Sequence, residues 1–247
     1  SFVSAYTGKN AQDQKLDLFP KIPFPSIRIN YNGLSRMKAI KKYASSVTLS
    51  SFYSSTYNIP QYMTILSRND TAVSSLDSNF FPQYEIRSVT IQESFNPLIR
   101  IDITFLNNIT TNVEYKSSRN ISLSLFNFMM VETRNTEFVI GFGYRAKEIY
   151  LPFKVRGRKP YLKNDLNVRF DFSIRDVVTI TRNVQTLQTI PTQGQRILSI
   201  KPQIDYMLNE KLNLRFYYDR RVTKPATSNA FPTAITQGGI SLRYTLQ

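Results

Sequence analysis

Histidine and cysteine are both absent from the 247 residues. Without cysteine there is no disulfide framework and no thiolate metal site. Without histidine the usual general base disappears, as do the Ser-His and Cys-His nucleophile systems and most zinc sites. Carboxylate-only and Ser-Lys schemes stay open, but no convergent cluster of such residues suggests them. Tryptophan is missing too. Long apolar runs are also absent: none approaches the roughly 18 residues that a membrane helix needs. Only 41% of the chain is hydrophobic, little for a protein that must fill a thick core. Acidic residues are scarce, 17 against 32 basic ones, which leaves a net charge of +15. The chain starts at Ser1 with neither Met nor signal sequence and reads as a processed or trimmed piece.

What the chain has in abundance is alternation. In LNVRFDFSI, Leu166, Val168, Phe170, Phe172 and Ile174 are apolar, while Asn167, Arg169, Asp171 and Ser173 are polar. A strand sends successive side chains to opposite faces, so this segment has one greasy and one wet face. The pattern returns in IRIDITF, FVIGFGYR, LSIKPQIDY, LNLRFYYD and ISLRYTL. Soluble barrels and sandwiches use such strands. So do membrane barrels, whose greasy face meets lipid and whose wet face meets a lumen. Length favours the membrane. ITTNVEYKSSRNISLSL keeps its period from Ile109 to Leu125, whereas soluble strands average about five or six residues. The 17 Phe and 15 Tyr point the same way. Tyr84, Tyr144, Tyr206, Tyr218 and Tyr244 fall near strand ends, where aromatic girdles sit, although aromatics also favour strands in general.

Ten strands are expected: Ile27–Tyr31, Val47–Ile59, Tyr84–Ile91, Leu98–Phe105, Ile109–Leu125, Phe138–Arg145, Leu166–Ile174, Leu198–Met207, Leu212–Asp219 and Gly239–Leu246. They form an antiparallel region over residues 27–247. Residues 1–26, with Pro20, Pro23 and Pro25, form a Pro-rich polar lead-in rather than a paired strand. Leu34, Met37 and Ile40 recur at helical spacing, so one short amphipathic helix is expected over 34–43. Long polar connections are expected near 60–83, 177–196 and 222–236, and tight turns at Leu106-Asn107-Asn108 and Asn209-Glu210-Lys211. The 60–83 and 147–164 connections fall on the short-turn side and fit a barrel poorly.

The wet faces carry Arg100, Asp102, Glu114, Lys116, Arg169, Asp171, Lys201, Asp205, Arg215, Asp219 and Arg243, with signs interleaved. If Asn209-Glu210-Lys211 is a three-residue loop, Asp205 opposes Arg215 and Lys201 opposes Asp219. The turn at Leu106-Asn107-Asn108 likewise sets Arg100 opposite Glu114. Most surplus positive charge lies in connections, at Arg36, Lys38, Lys41 and Lys42, and at Lys147, Lys154, Arg156, Arg158, Lys159 and Lys163. A solvated surface, anionic headgroups or an acidic partner all suit these loops. KVRGRK at 154–159 reads as a basic turn. Gly-x-Gly in GFGYR sits inside a strand with both glycines on the wet face, so it implies no phosphate loop. A soluble nucleic-acid binder would place aromatics and cations on one face, and here they lie mostly on opposite faces.

Several long motifs carry a resemblance. FPKIPFPSIRINYNGLSRMKAIKKY, YEIRSVTIQESFNPLIRIDITF, VEYKSSRNISLSL, LPFKVRGRKPYLKNDLNVRFDFSIRD and KLNLRFYYDRRV, in this order, resemble the C-terminal part of the SprA/Sov family. That family forms the outer-membrane translocon of the type 9 secretion system, tied to protein secretion and gliding motility. The resemblance covers nearly the whole chain. It implies an all-β segment of a very large single-chain transmembrane barrel in the outer membrane of a Gram-negative bacterium. It implies a protein-conducting pore and no enzyme, cofactor or nucleic acid. The partners it implies are the rest of the same translocon polypeptide, a PorV-type shuttle barrel, a periplasmic plug protein, secreted cargo proteins and outer-membrane lipid. A self-contained ten-stranded barrel, acting as a pore or adhesin, is the nearest alternative. Pairing of the Ile27 strand with the Leu242 strand would mark that closure.

Overall fold

The computed structural model describes residues 25–65, 84–147, 149–150, 161–162, 165–209, 211–226 and 230–245. The lead-in up to residue 24, most of the 60–83 connection, residues 151–160 with the KVRGRK turn, and Lys163 lie outside these residues. The sheet is all-antiparallel and runs in chain order. Its strands are β1 (Ser26–Tyr31), β2 (Ala44–Thr64), β3 (Tyr84–Phe105), β4 (Ile109–Ser124), β5 (Met129–Ala146), β8 (Leu166–Asn183), β9 (Thr189–Asn209), β10 (Leu212–Pro225) and β11 (Thr233–Tyr244). Between β5 and β8, β6 (Ile149–Tyr150) and β7 (Tyr161–Leu162) make a separate two-stranded ladder.

Nine strands replace the expected ten because Tyr84–Ile91 and Leu98–Phe105 are one strand. β3 carries a bulge between Phe95 and Ile99 against β4, around Pro97, which has no N–H to offer a ladder. The merger moves the β2–β3 connection to the opposite end of the sheet, so its misfit disappears. The near end now holds the β1–β2 connector, the Leu106–Asn108 turn, the β5–β8 connection and the β9–β10 turn. The far end holds the β2–β3, β4–β5, β8–β9 and β10–β11 connections. The β5–β8 connection still lies on the short-turn side.

Two expected loops are mostly strand. The 177–196 stretch extends β8 and β9 and leaves a turn at 184–188; the 222–236 stretch extends β10 and β11. Their Thr and Gln residues lower the apolar alternation without breaking the ladder. Thr181 and Thr192, for example, share a 3.3 Å hydroxyl contact between β8 and β9.

The helix expected over 34–43 is split into a 3-10 turn, Gly33–Arg36, and one α turn, α1 (Lys38–Lys41). Met37 between them is extended. The chain must reverse from β1 into β2 within this connector. Its register there is fixed by Ser35, whose hydroxyl accepts from the Val47 N–H (2.8 Å) and donates to the Val47 carbonyl (3.1 Å). Ser35 thus stands in for a strand partner where β1 has ended.

Candidate functional site: the two faces of the sheet

Registers place side chains on faces because residues directly opposite in a ladder share a face. The β10–β9 hairpin pairs Leu214 with Tyr206, Arg215 with Asp205 and Phe216 with Ile204. The turn is tighter than the expected three-residue loop, since Leu212 opposes Asn209. A shift between Leu212 and Asn213 restores the expected register. The β3–β4 turn is the expected Leu106-Asn107-Asn108, with Asn108 at φ 60 and Arg100 opposite Glu114.

All eleven residues expected on the wet face, from Arg100 to Arg243, share one face. Their charges are matched locally. Arg100 grips Asp102 at 2.8 and 2.9 Å and reaches Glu114 at 3.8 Å; Lys116 meets Glu114 at 3.2 Å. Arg169 pairs with Asp171 at 2.9 Å along β8, and Lys201 of β9 with Asp219 of β10 at 3.6 Å. Arg215 binds Asp205 at 2.6 Å, whose second oxygen accepts from Gln203. Arg175–Glu137 and Arg145–Asp165 complete the pattern. Arg243 has no ion-pair partner among the described residues. Gly141 and Gly143 lie on this face, as expected: a Cβ on Gly141 would strike the Asn112 side chain, and one on Gly143 the Thr110 hydroxyl. The glycines therefore let two polar side chains lie flat across β5.

The opposite face carries an apolar band through all nine strands. It runs from Ile27, Ile29 and Tyr31 on β1 to Ile240, Leu242 and Tyr244 on β11, through columns such as Leu166–Ile174. Much of it is uncovered: Ile29 is 56% exposed, Ile99 51% and Leu242 62%, with Phe138, Phe142, Phe170, Ile204 and Phe216 also exposed. Sequence alternation finds the band but not its slant. The ladder row through Tyr31 passes Leu49, Ile101, Val113, Ile140, Phe172, Ile200 and Arg220 and reaches β11 at Thr236. The near-end margin of the band on β11 is Tyr244, about eight residues further on. One residue of drift per strand step, about 3.3 Å against about 4.8 Å, tilts the strands about 35° relative to the band's normal.

Toward the far end the same face changes character. A charged belt crosses it first. Arg119 and Arg134 both donate to one oxygen of Glu132, at 2.7 and 2.6 Å; Arg119 also reaches Glu93, and Arg196 grips Asp176 at 2.7 Å. Beyond the belt on β2–β4, Ile59, Val89, Ile91, Ile121 and Leu123 are buried, Ile91 at 1% exposure. Many apolar residues of this face are thus bare on the near side of the belt, although Val47 is buried there, while these five are packed on the far side, which no reading of hydropathy alone distinguishes. Of the tyrosines expected in girdles, Tyr144, Tyr206 and Tyr244 lie at the band's near margin and Tyr218 within it. Tyr84 does not: it stands at the far tip of β3, edge-on to Tyr62 at 6.0 Å.

Among the described residues β1 and β11 do not pair, so the sheet is open. No helix among them is long and apolar enough to cross a membrane. No protein-family model matches the chain, and no curated protein sequence matches it significantly.

Proposed function

We propose that this chain is part of the wall of an outer-membrane β-barrel, namely the C-terminal part of a SprA/Sov-type protein-conducting translocon. The exposed apolar band carries the membrane step. A soluble protein covers such a band, because contiguous apolar patches beyond a few hundred Å² are rare on monomers. The dimensions fit lipid. Nine residues of β8 tilted by about 35° give an apolar height of about 22 Å, close to the roughly 25 Å band of barrels, which tilt their strands by about 35–45°.

The open edges support a stave of something larger. A free edge in lipid leaves each backbone group unsatisfied at several kcal/mol. On this reading the rest of the same polypeptide supplies the neighbours of β1 and β11. The ion-paired wet face suits a conducting wall: a passing chain meets polar groups whose charges are neutralised nearby, and no greasy patch on which to stick. The near end faces the periplasm, where barrels keep their short turns, and the far end faces outward. A plug protein then meets the near end, a PorV-type barrel attends the lateral opening, and secreted cargo passes along the wet face. The chain acts as conduit rather than enzyme.

The absence of cysteine makes the test clean. Single cysteines across 166–174 of the assembled translocon, labelled with an environment-sensitive dye in phosphatidylcholine vesicles, should alternate: apolar signals at 166, 168, 170, 172 and 174, aqueous signals between. A flat profile would end the membrane reading. A photocrosslinker at Asp171 should capture arrested secretion cargo in the assembled translocon, while one at Phe170 should not. Equal capture at both positions would end the conduit reading.

A further inference from the structure

The charged belt sits where the apolar band stops, and its arrangement favours an outside ligand. Glu132 and Glu93 lie low against the sheet, with side chains 11% and 22% exposed, while Arg134 and Arg196 stand out at 59% and 65%. The carboxylates hold the inner edges of the guanidinium groups and leave their outer edges to solvent. On β10 the same face adds Arg220 and Lys224, both exposed and without an ion-pair partner among the described residues. Cations therefore exceed acids along this rim. The rim stays on the far side of the band's centre across these strands: Arg119 and Arg134 stand about seven residues above it, Arg196 about six, Arg220 about four and Lys224 about eight. With the tilt above, that is about 11–22 Å from the centre, which brackets the edge of a hydrocarbon core about 30 Å thick.

We propose that Arg134, Arg196, Arg220 and Lys224 form a phosphate-binding rim that gathers anionic lipid in the far-end leaflet. Guanidinium groups bind phosphate oxygens in pairs, and are more weakly hydrated than ammonium groups. Attraction to an anionic surface grows with each basic side chain near it. The inference rests on the membrane reading above.

The test reconstitutes the assembled translocon in phosphatidylcholine vesicles containing trace spin-labelled phosphatidylglycerol or phosphatidylcholine. The motionally restricted fraction of each label is measured. Phosphatidylglycerol should be favoured at least threefold at low salt, and the preference should shrink as salt rises. R220Q/K224Q breaks no ion pair among the described residues, so it should keep the far-UV circular dichroism of a folded sheet and lose most of the preference. The connector variant K41Q/K42Q should keep it. No restricted component for either lipid would overturn the membrane reading and the rim together. A restricted component without preference would overturn the rim alone. So would a preference unchanged in R220Q/K224Q, or one abolished only in K41Q/K42Q.

Discussion

Replacing Phe170 with arginine separates a lipid-facing band from a wet one. Phe170 lies mid-column on β8, between Phe142 of β5 and Pro202 of β9, and is 39% exposed. In water, trading a half-exposed phenylalanine for arginine forfeits a cross-strand apolar contact of about 0.2–1 kcal/mol. Near the middle of a bilayer the same arginine costs about 2–4 kcal/mol, a roughly 30- to 1000-fold shift of the folding equilibrium. The control is Asn167→Arg. Asn167 faces the other way, between Arg145 and Asp205, so its replacement should stay within about 0.5 kcal/mol. Guanidinium titration of the inserted chain reads the difference. Circular dichroism is the probe, since no tryptophan reports the transition. Equal midpoint shifts for the two variants, or a loss below about 0.5 kcal/mol for Phe170→Arg, would refute the argument.

Ser35→Ala should cost about 1–3 kcal/mol, because it leaves the Val47 N–H and carbonyl without their partner; unchanged hydrogen-exchange protection at Val47 would contradict this. Gly141→Ala should destabilise by about 1–3 kcal/mol through overpacking against Asn112, and Asn112→Ala should recover most of that loss; strict additivity in the double mutant would show that the two do not touch. A double-mutant cycle on Asp205 and Arg215 should give a coupling of about 0.2–1 kcal/mol that falls with salt. A zero coupling at low salt would mean that this contact fixes nothing.

Sheet registers were largely legible because the side-chain period is two and one face is apolar. A one-residue slip between β9 and β10 would set Asp205 against a greasy neighbour, so the chain tolerates one register. The turn itself was less legible: Leu212 opposes Asn209, and a local irregularity absorbs the extra residue. Strand ends were the weakest point. Past Ile174 the side chains of β8 are Arg175, Asp176, Val177, Val178 and Thr179, which lose alternation while every backbone group stays in the ladder. Hydropathy reports what a side chain faces, not whether its backbone is paired. The stretch between Ile91 and Leu98 errs in the opposite sense: its side chains lose the alternation, yet β3 only bulges there.

The belt explains why alternation alone leaves the environment of each column open. On β4, Val113 and Tyr115 belong to the bare band, Arg119 to the belt, and Ile121 and Leu123 to the packed cluster, all on one face of one strand. Their order is invisible to a period-two reading, which scores Val113 and Ile121 alike. Depth becomes readable only when columns from neighbouring strands are aligned by register. Arg119 then falls beside Arg134, and the slant carries the rim down to Arg220 on β10. Isolated charges on a greasy face become a belt about four to eight residues from the band's centre. A soluble sheet has no physical reason to draw such a belt obliquely to its own hydrogen-bond rows. On the proposed membrane reading, a tilted wall crossing a flat interface has one, because the boundary would be set by the membrane plane and not by the ladder.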